Sequence, residues 1–268
     1  MFWVNGVQQQ TISLGDRAVQ FGDGCFTTAW VKNGEVQRLS AHIARLQDAV
    51  ARLMMPVCNW HTLAAEMREA ALGCAEGVLK VILSRGEGGR GYSAQGAVGP
   101  TRVMSLSGYP QHYHLWRQQG IELALSPVAL SRNPLLAGLK HLNRLEQVLI
   151  RTHLDNSQAQ EALVVDTAGM LVECCAANIF WRTGRQVFTP ALSYAGVDGI
   201  MRQHIIAQLL HSREFSLEIV SLPPAALADA EEVIVCNALM PILPVKKSEN
   251  WHYNASQLFD FLHPHCIN

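Results

Sequence analysis

Cys25-Phe26-Thr27-Thr28-Ala29-Trp30-Val31-Lys32-Asn33-Gly34-Glu35-Val36-Gln37-Arg38-Leu39 is the stretch on which the fold turns. Asn-Gly suits a tight primed turn, which needs positive φ at both central residues, and here it separates two strand-like runs. The spacing predicts an antiparallel hairpin of Cys25 to Val31 with Val36 to Leu39. Met1 to Val4 reads as another strand. Downstream, Ser40 stands where an N-cap belongs, and Ile43, Leu46, Val50 and Leu53 follow at helical spacing. A second helix is predicted from Trp60 to Leu72, and strands at Val78 to Ser84 and Arg102 to Ser107 complete a first lobe. Between those two strands, Gly86 to Gly91 predicts a flexible loop.

A boundary within Tyr109 to Gln119 divides the chain into lobes 1-112 and 113-268. The second lobe opens with a strand at Ile121 to Ser126. A loop through Asn133-Pro134 and Gly138 then leads to a helix carrying Leu142, Leu145 and Leu149 on one stripe, with Lys140 at its mouth. Further strands are predicted at Ala162 to Asp166, Met170 to Cys174, Asn178 to Trp181, Leu217 to Val220 and Glu232 to Cys236, with a helix from about Ile200 to Leu210. Strands and helices mix without a regular βαβ rhythm, which points to an α+β fold.

The 268 residues are 49% apolar and 16% charged, with a formal net charge of −1, so the composition is that of a globular chain. The 21 Lys and Arg are scattered, which argues against a nucleic-acid partner. The apolar runs, Val78 to Leu83 among them, fall far short of a membrane span, and Met1 to Gln10 lacks the pattern of a signal peptide. Seven cysteines without a C-x-x-C pair suggest neither a disulfide framework nor a zinc site, and read as reduced thiols of a cytoplasmic protein. The eleven histidines show no H-E-x-x-H spacing, so no metal is predicted; Ser131 and Ser193 lack a G-x-S-x-G setting.

Other residues carry more chemistry. Lys140, flanked by Leu139 and Leu142 after a glycine-bearing loop, has the setting in which a desolvated amine becomes a nucleophile, although a surface lysine at a turn has the same sequence. Glu173 ends the apolar run Met170-Leu171-Val172. A carboxylate there is costly unless a cation or donor meets it; the plain alternative is a strand end facing water. Gly199 opens a helix whose first N–H groups could bind phosphate, though most such ends are merely capped. Asn237-Ala238 could add donors or form an ordinary turn. Gly86-Glu87-Gly88-Gly89-Arg90-Gly91-Tyr92 lacks the G-K-[ST] ending of a nucleotide loop, and the planar fork of Arg90 is better suited to a carboxylate.

Taken together, Phe21-Gly22-Asp23-Gly24-Cys25-Phe26-Thr27-Thr28, Lys140-His141-Leu142-Asn143-Arg144, Glu173 to Phe180 and Gly199-Ile200-Met201-Arg202 resemble, in order and spacing, the signature of the fold-type IV pyridoxal-phosphate enzymes. The resemblance implies a small N-terminal α/β lobe, a larger C-terminal pseudo-barrel lobe, a homodimer, and pyridoxal 5'-phosphate as cofactor. It implies that Lys140 holds the cofactor covalently, that Glu173 meets its pyridine nitrogen, and that Arg45, Ile200, Met201, Asn237 and Ala238 form its phosphate site, with Asn178 beside them. Arg90 would hold a substrate carboxylate, and Phe26, Tyr92 and Tyr109 would line the substrate side. The aminotransferases of this family, which act on D-amino or branched-chain amino acids, usually carry an acidic residue after the aromatic of this segment. Here Thr27 and Thr28 follow Phe26, as in the lyase branch, which the chain resembles from Met1 to about Pro244. That branch implies an oxo-acid lyase acting on aminodeoxychorismate to give 4-aminobenzoate and pyruvate for folate synthesis, with Thr28 assisting proton transfer.

Overall fold

The computed structural model describes residues 1–267, and the chain divides into two compact units. The first comprises Met1–Pro110 and Leu139–Asn143; the second comprises Gln111–Gly138 and the described residues from Arg144 onward. The chain thus leaves the second unit at Gly138 and returns at Arg144. The segment carrying Lys140 belongs to the first unit, not to the second lobe where the sequence reading had put it.

In the first unit the elements run β1 (Phe2–Val4), β2 (Val7–Gln8), α1 (Arg17–Phe21), β3 (Gly24–Lys32), β4 (Glu35–Val36), α2 (Leu39–Arg52), α3 (Trp60–Ala71), β5 (Glu76–Ser84) and β6 (Thr101–Gly108). The strands form one antiparallel sheet in the order β2-β1-β6-β5-β3-β4. The predicted hairpin is present: Val31 pairs with Val36, and Asn33 and Gly34 have φ of 53° and 81°. Its second arm stops at Val36, because Arg38 turns the chain at φ 53° and α2 begins at Leu39. Ser40 therefore lies inside α2 rather than capping it; no side chain caps that end.

Period-2 alternation sets the two faces of this sheet. Cys25, Thr27 and Ala29 of β3, Leu79, Val81 and Leu83 of β5, and Met104 of β6 are buried, as are Leu46 and Val50 of α2 and Leu63 and Met67 of α3. The opposite face carries Phe26 and Thr28, together with their cross-strand partners Ile82 and Lys80.

The second unit contains α4 (His112–Gln119), β7 (Ile121–Leu125), α5 (Leu145–Leu154), β8 (Glu161–Val165), β9 (Leu171–Cys174), β10 (Asn178–Thr183), β11 (Gln186–Pro190), α6 (Ile200–His211), β12 (Ser216–Val220), β13 (Glu232–Cys236), β14 (Leu243–Ser248), β15 (Trp251–His252) and α7 (Gln257–Ile267). Its nine-stranded sheet runs β12-β11-β10-β13-β14-β7-β8-β9, with β15 beside β14. Strand β9 ends this order while β10 lies third, yet three residues join them and Cys174 N–H donates to Ala177 O. The sheet must curl back on itself to satisfy both. Val233 and Val235 face the inside with Ile121, Leu163 and Ile179, whereas Ile234 and Cys236 face α6 and α7. The α+β fold of the sequence reading is thus present as two curled sheets with helices packed on them.

Two expectations need correction. The helix after Lys140 begins only at Leu145, and Leu145 and Leu149 are exposed while Ile150 and Leu154 are buried, so the Leu142-Leu145-Leu149 stripe does not face a core. Within the boundary stretch Tyr109 to Gln119, His112–Gln119 forms helix α4. The stretch Gly86 to Gly91 is tethered rather than free: Arg17 N–H donates to Gly86 O, and Val98 N–H to Glu87 O. Its glycines serve tight turns. Among the described residues, no helix is long and apolar enough to cross a membrane.

Candidate active site

In the first unit, Lys140 is held as an extended segment against β3. Phe26 N–H donates to Lys140 O at 2.9 Å, Leu142 N–H donates to Gly24 O at 3.0 Å, and Cys25 bridges His141. Gly24 admits no side chain here: a β-carbon would stand 2.3 Å from Leu83 O of β5 and 2.9 Å from Leu142 Cδ1 of the Lys140 segment. Held in this way, Lys140 is half-buried and its Nζ lies 4.7 Å from the centroid of the Phe26 ring. Lys80 Nζ is 5.0 Å from the centroid of the same ring. Thr28, two residues beyond Phe26, is paired with Lys80 across the strands. A lysine amine, an aromatic ring and a hydroxyl therefore share one sheet face.

Thr27 does not join them. Its hydroxyl lies 2.6 Å from His42 Nδ1, both residues are buried, and burial lowers His42 to about 3, with Arg45 and Arg38 adding to the effect. Arg45 is half-buried in α2, one turn beyond His42. Arg90 is exposed on its loop, and Tyr92 is exposed with its ring 5.7 Å from Phe21. Tyr109 is buried and stacked on Trp30 at 5.2 Å.

In the second unit, Glu173 and Asn178 converge on one residue. Glu173 Oε2 accepts from Val197 N–H at 2.8 Å, and Asn178 Nδ2 donates to Val197 O at 2.9 Å. Glu173 is buried, so it is not the solvated strand end that its sequence also allowed, and the positive charge of Arg144 lies within electrostatic reach. Val197 leads into Gly199, the N-cap of α6, where no side chain caps the helix and a β-carbon would come within 2.0 Å of Asn178 Oδ1. The first N–H groups of α6, which include those of Ile200 and Met201, thus have no side-chain cap among the described residues. Asn237 makes a compact turn: its Oδ1 accepts from Leu239 and Met240 N–H at 2.8 Å each, and its Nδ2 donates to Ala176 O. Ala176 N–H in turn donates to Glu161 Oε2 at 3.1 Å.

Nothing in the sequence reading places Lys80 on the sheet face of Phe26; its signal is a charge within the apolar strand Val78 to Leu83. That reading missed Arg17 and the role of Asp23 altogether, because α1 was not foreseen. Asp23 Oδ2 accepts from Nε of both Arg17 and Arg85 at 2.8 Å. Burial would raise its carboxyl, but the two guanidinium groups outweigh that and hold it below the usual range.

The amino-transferase class IV family matches residues 24–248, and the chain belongs to that family. It is similar to the aminodeoxychorismate lyase of Vibrio harveyi, at 38% identity over 91% of this chain and 90% of that one. The solved structure of 4-amino-4-deoxychorismate lyase from Pseudomonas aeruginosa superposes with a TM-score of 0.93, at 34% identity, covering 99% of this chain and 97% of that one. Similarity to the D-alanine aminotransferase of Bacillus licheniformis is lower, at 24% identity over 87% of this chain and 82% of that one.

Proposed function

We propose that this protein is a pyridoxal-phosphate-dependent lyase that converts aminodeoxychorismate to 4-aminobenzoate and pyruvate. Its similarity to lyases of that name exceeds its similarity to the D-alanine aminotransferase. The structural observation that carries the reading is the Lys140 amine over Phe26 on the sheet face that also presents the Thr28 hydroxyl.

The residues fit the cofactor. Nε of Arg202, in the first turn of α6, is buried without a hydrogen-bond partner among the described residues, and no side chain among them caps that helix start at Gly199. By the family resemblance, the phosphate contacts would fall to Ile200, Met201, Asn237, Ala238 and Arg45, and the covalent hold on the aldehyde carbon to Lys140. Glu173, already oriented by Val197 N–H, would meet the ring nitrogen and keep it protonated. When bound, the cofactor supplies an electron sink conjugated to the amino nitrogen of the substrate.

The Lys140 amine would act as general base and remove the proton from the ring carbon bearing nitrogen. The neighbouring carbon–oxygen bond then breaks and the enolpyruvyl group departs with the electron pair, leaving an aromatic ring. Thr28 would relay that proton, accepting one from the Lys140 ammonium as it gives one to the methylene carbon of the departing group, which becomes pyruvate. Arg90 clamps a substrate carboxylate through its planar fork. Aromatisation drives the sequence forward.

We place the reaction in folate synthesis in the cytoplasm and the protein as a homodimer. The exposed Phe2, Ile12 and Val19 around an apolar recess of about 410 Å³ on the first unit support the second copy. The test is to incubate pure protein with aminodeoxychorismate, or with D-alanine and 2-oxoglutarate, following 4-aminobenzoate fluorescence against glutamate. Fluorescence without glutamate is the expected result; the reverse would make the protein an aminotransferase.

A further inference from the structure

Arg17 is 4% exposed and its guanidinium is spent on one loop and one carboxylate. Nε donates to Asp23 Oδ2 at 2.8 Å, Nη1 donates to Gly91 O at 3.1 Å and Ser93 O at 3.2 Å, and Nη2 donates to Tyr92 O at 3.2 Å. Three consecutive carbonyls thus converge on one side chain, directly after Arg90. The turn closes on itself as well, with Arg90 N–H donating to Ser93 O and Ser93 N–H to Arg90 O. Glycine is required beside it: at Gly89, with φ +82°, a β-carbon would stand 2.4 Å from Ser93 O and 3.0 Å from Arg17 Nη1. The far end of the fork is equally fixed, because Asp23 is also bound by Arg85, whose Nη atoms donate to Leu53 O and Met54 O at the end of α2. Asp23 directly precedes β3, the strand of Phe26 and Thr28.

We infer that Arg17 is a positioning residue for Arg90. It touches no substrate, but it fixes the Arg90–Ser93 turn to the root of β3, so that the exposed Arg90 guanidinium meets a substrate carboxylate at a set distance from Thr28. A buried arginine satisfied by backbone carbonyls is a rigid reference point, since freeing those carbonyls leaves a desolvated charge unpaired. The inference rests on the reading of Arg90 as the carboxylate clamp.

The experiment compares Arg17→Lys, Gly89→Ala and Arg90→Gln in the cofactor-loaded enzyme. It measures kcat and KM for aminodeoxychorismate, and the rate at which trypsin cuts the Arg90–Gly91 bond. Lysine keeps the charge and the Asp23 partner but cannot fork to three carbonyls. Gly89→Ala disturbs the same turn while leaving Arg17 in place, and carries the test if Arg17→Lys does not fold. Both should raise KM about tenfold, as expected for a misplaced binding group, with kcat within about twofold and the visible cofactor band unchanged; Arg17→Lys should also speed cleavage after Arg90. If Arg90→Gln leaves KM unchanged, the clamp reading itself is wrong. If Arg90→Gln raises KM but neither turn variant does, Arg17 positions nothing and the inference is overturned. Parallel losses of kcat and cofactor band would overturn it too, by making Arg17 a general structural residue.

Discussion

The side chains of Thr27 and His42 close on each other behind the first sheet, Oγ1 to Nδ1 at 2.6 Å, and both are sealed from solvent. This pair separates two adjacent threonines into different roles. Thr27→Val removes a buried hydrogen bond and should cost about 1–3 kcal/mol of stability in denaturant unfolding, with turnover of the folded enzyme near wild type. Thr28→Val should do the opposite, lowering lyase turnover by roughly 10²-fold at unchanged melting temperature. Equal losses of stability and activity in Thr28→Val would make it a packing residue.

His42 also sets a pH dependence. Burial lowers it from 6.5 to about 3, so between those values the unfolded chain binds a proton that the folded chain does not. Stability therefore falls as pH drops through that window, by at most about 1.4 kcal/mol per pH unit. Relative to wild type, His42→Gln should gain stability as pH falls from 6.5 to 4 in unfolding free energies. A constant stability difference between the two proteins across that range would assign the acid sensitivity to other groups.

Glu161 acts with the opposite sign. Burial raises it from 4.5 to about 7, against the lowering effect of the Ala176 N–H bond, so the folded chain binds the extra proton. Its contribution to stability is fully present below pH 4.5 and is lost as pH rises to 7, roughly 3 kcal/mol in all at 1.4 kcal/mol per pH unit. Between pH 4.5 and 6.5 the two residues offset each other, which makes a flat wild-type profile uninformative. Glu161→Gln should become relatively more stable than wild type as pH rises from 4.5 to 7; a constant difference between the two proteins would refute the assignment.

Lys80 and Lys140 approach the same Phe26 ring, so the covalent role of Lys140 must be tested against Lys80. Borohydride reduction followed by peptide mapping should find the pyridoxyl group on Lys140. Lys140→Ala should abolish lyase activity and the visible band, whereas a pyridoxyl group on Lys80 would reverse the assignment.

Glu173→Gln keeps an acceptor for Val197 N–H, so the fold should survive. Loss of the charge-assisted bond to the ring nitrogen, worth roughly 1.5–3 kcal/mol, should slow proton removal by about one to two orders of magnitude, read as a substrate deuterium isotope effect on kcat. Wild-type turnover would mean that the ring nitrogen has another partner.

Local periodicity and turn chemistry carried much of this fold in the sequence. Asn33-Gly34 and its flanking runs determined the hairpin, alternation determined that Thr27 and Thr28 face opposite sides, and the spacing around Lys140, Glu173 and Gly199 drew the candidate site together through resemblance. Tertiary structure decided which of the two threonines is buried, because an alternating strand has two faces and only the packing of α2 chooses between them. It also decided that Leu145 and Leu149 face solvent, since an apolar helical stripe does not name its partner. Arg17 lay beyond any reading of the sequence: its bonds reach residues 74 to 76 positions away, and no local pattern encodes which distant carbonyls a buried guanidinium will meet.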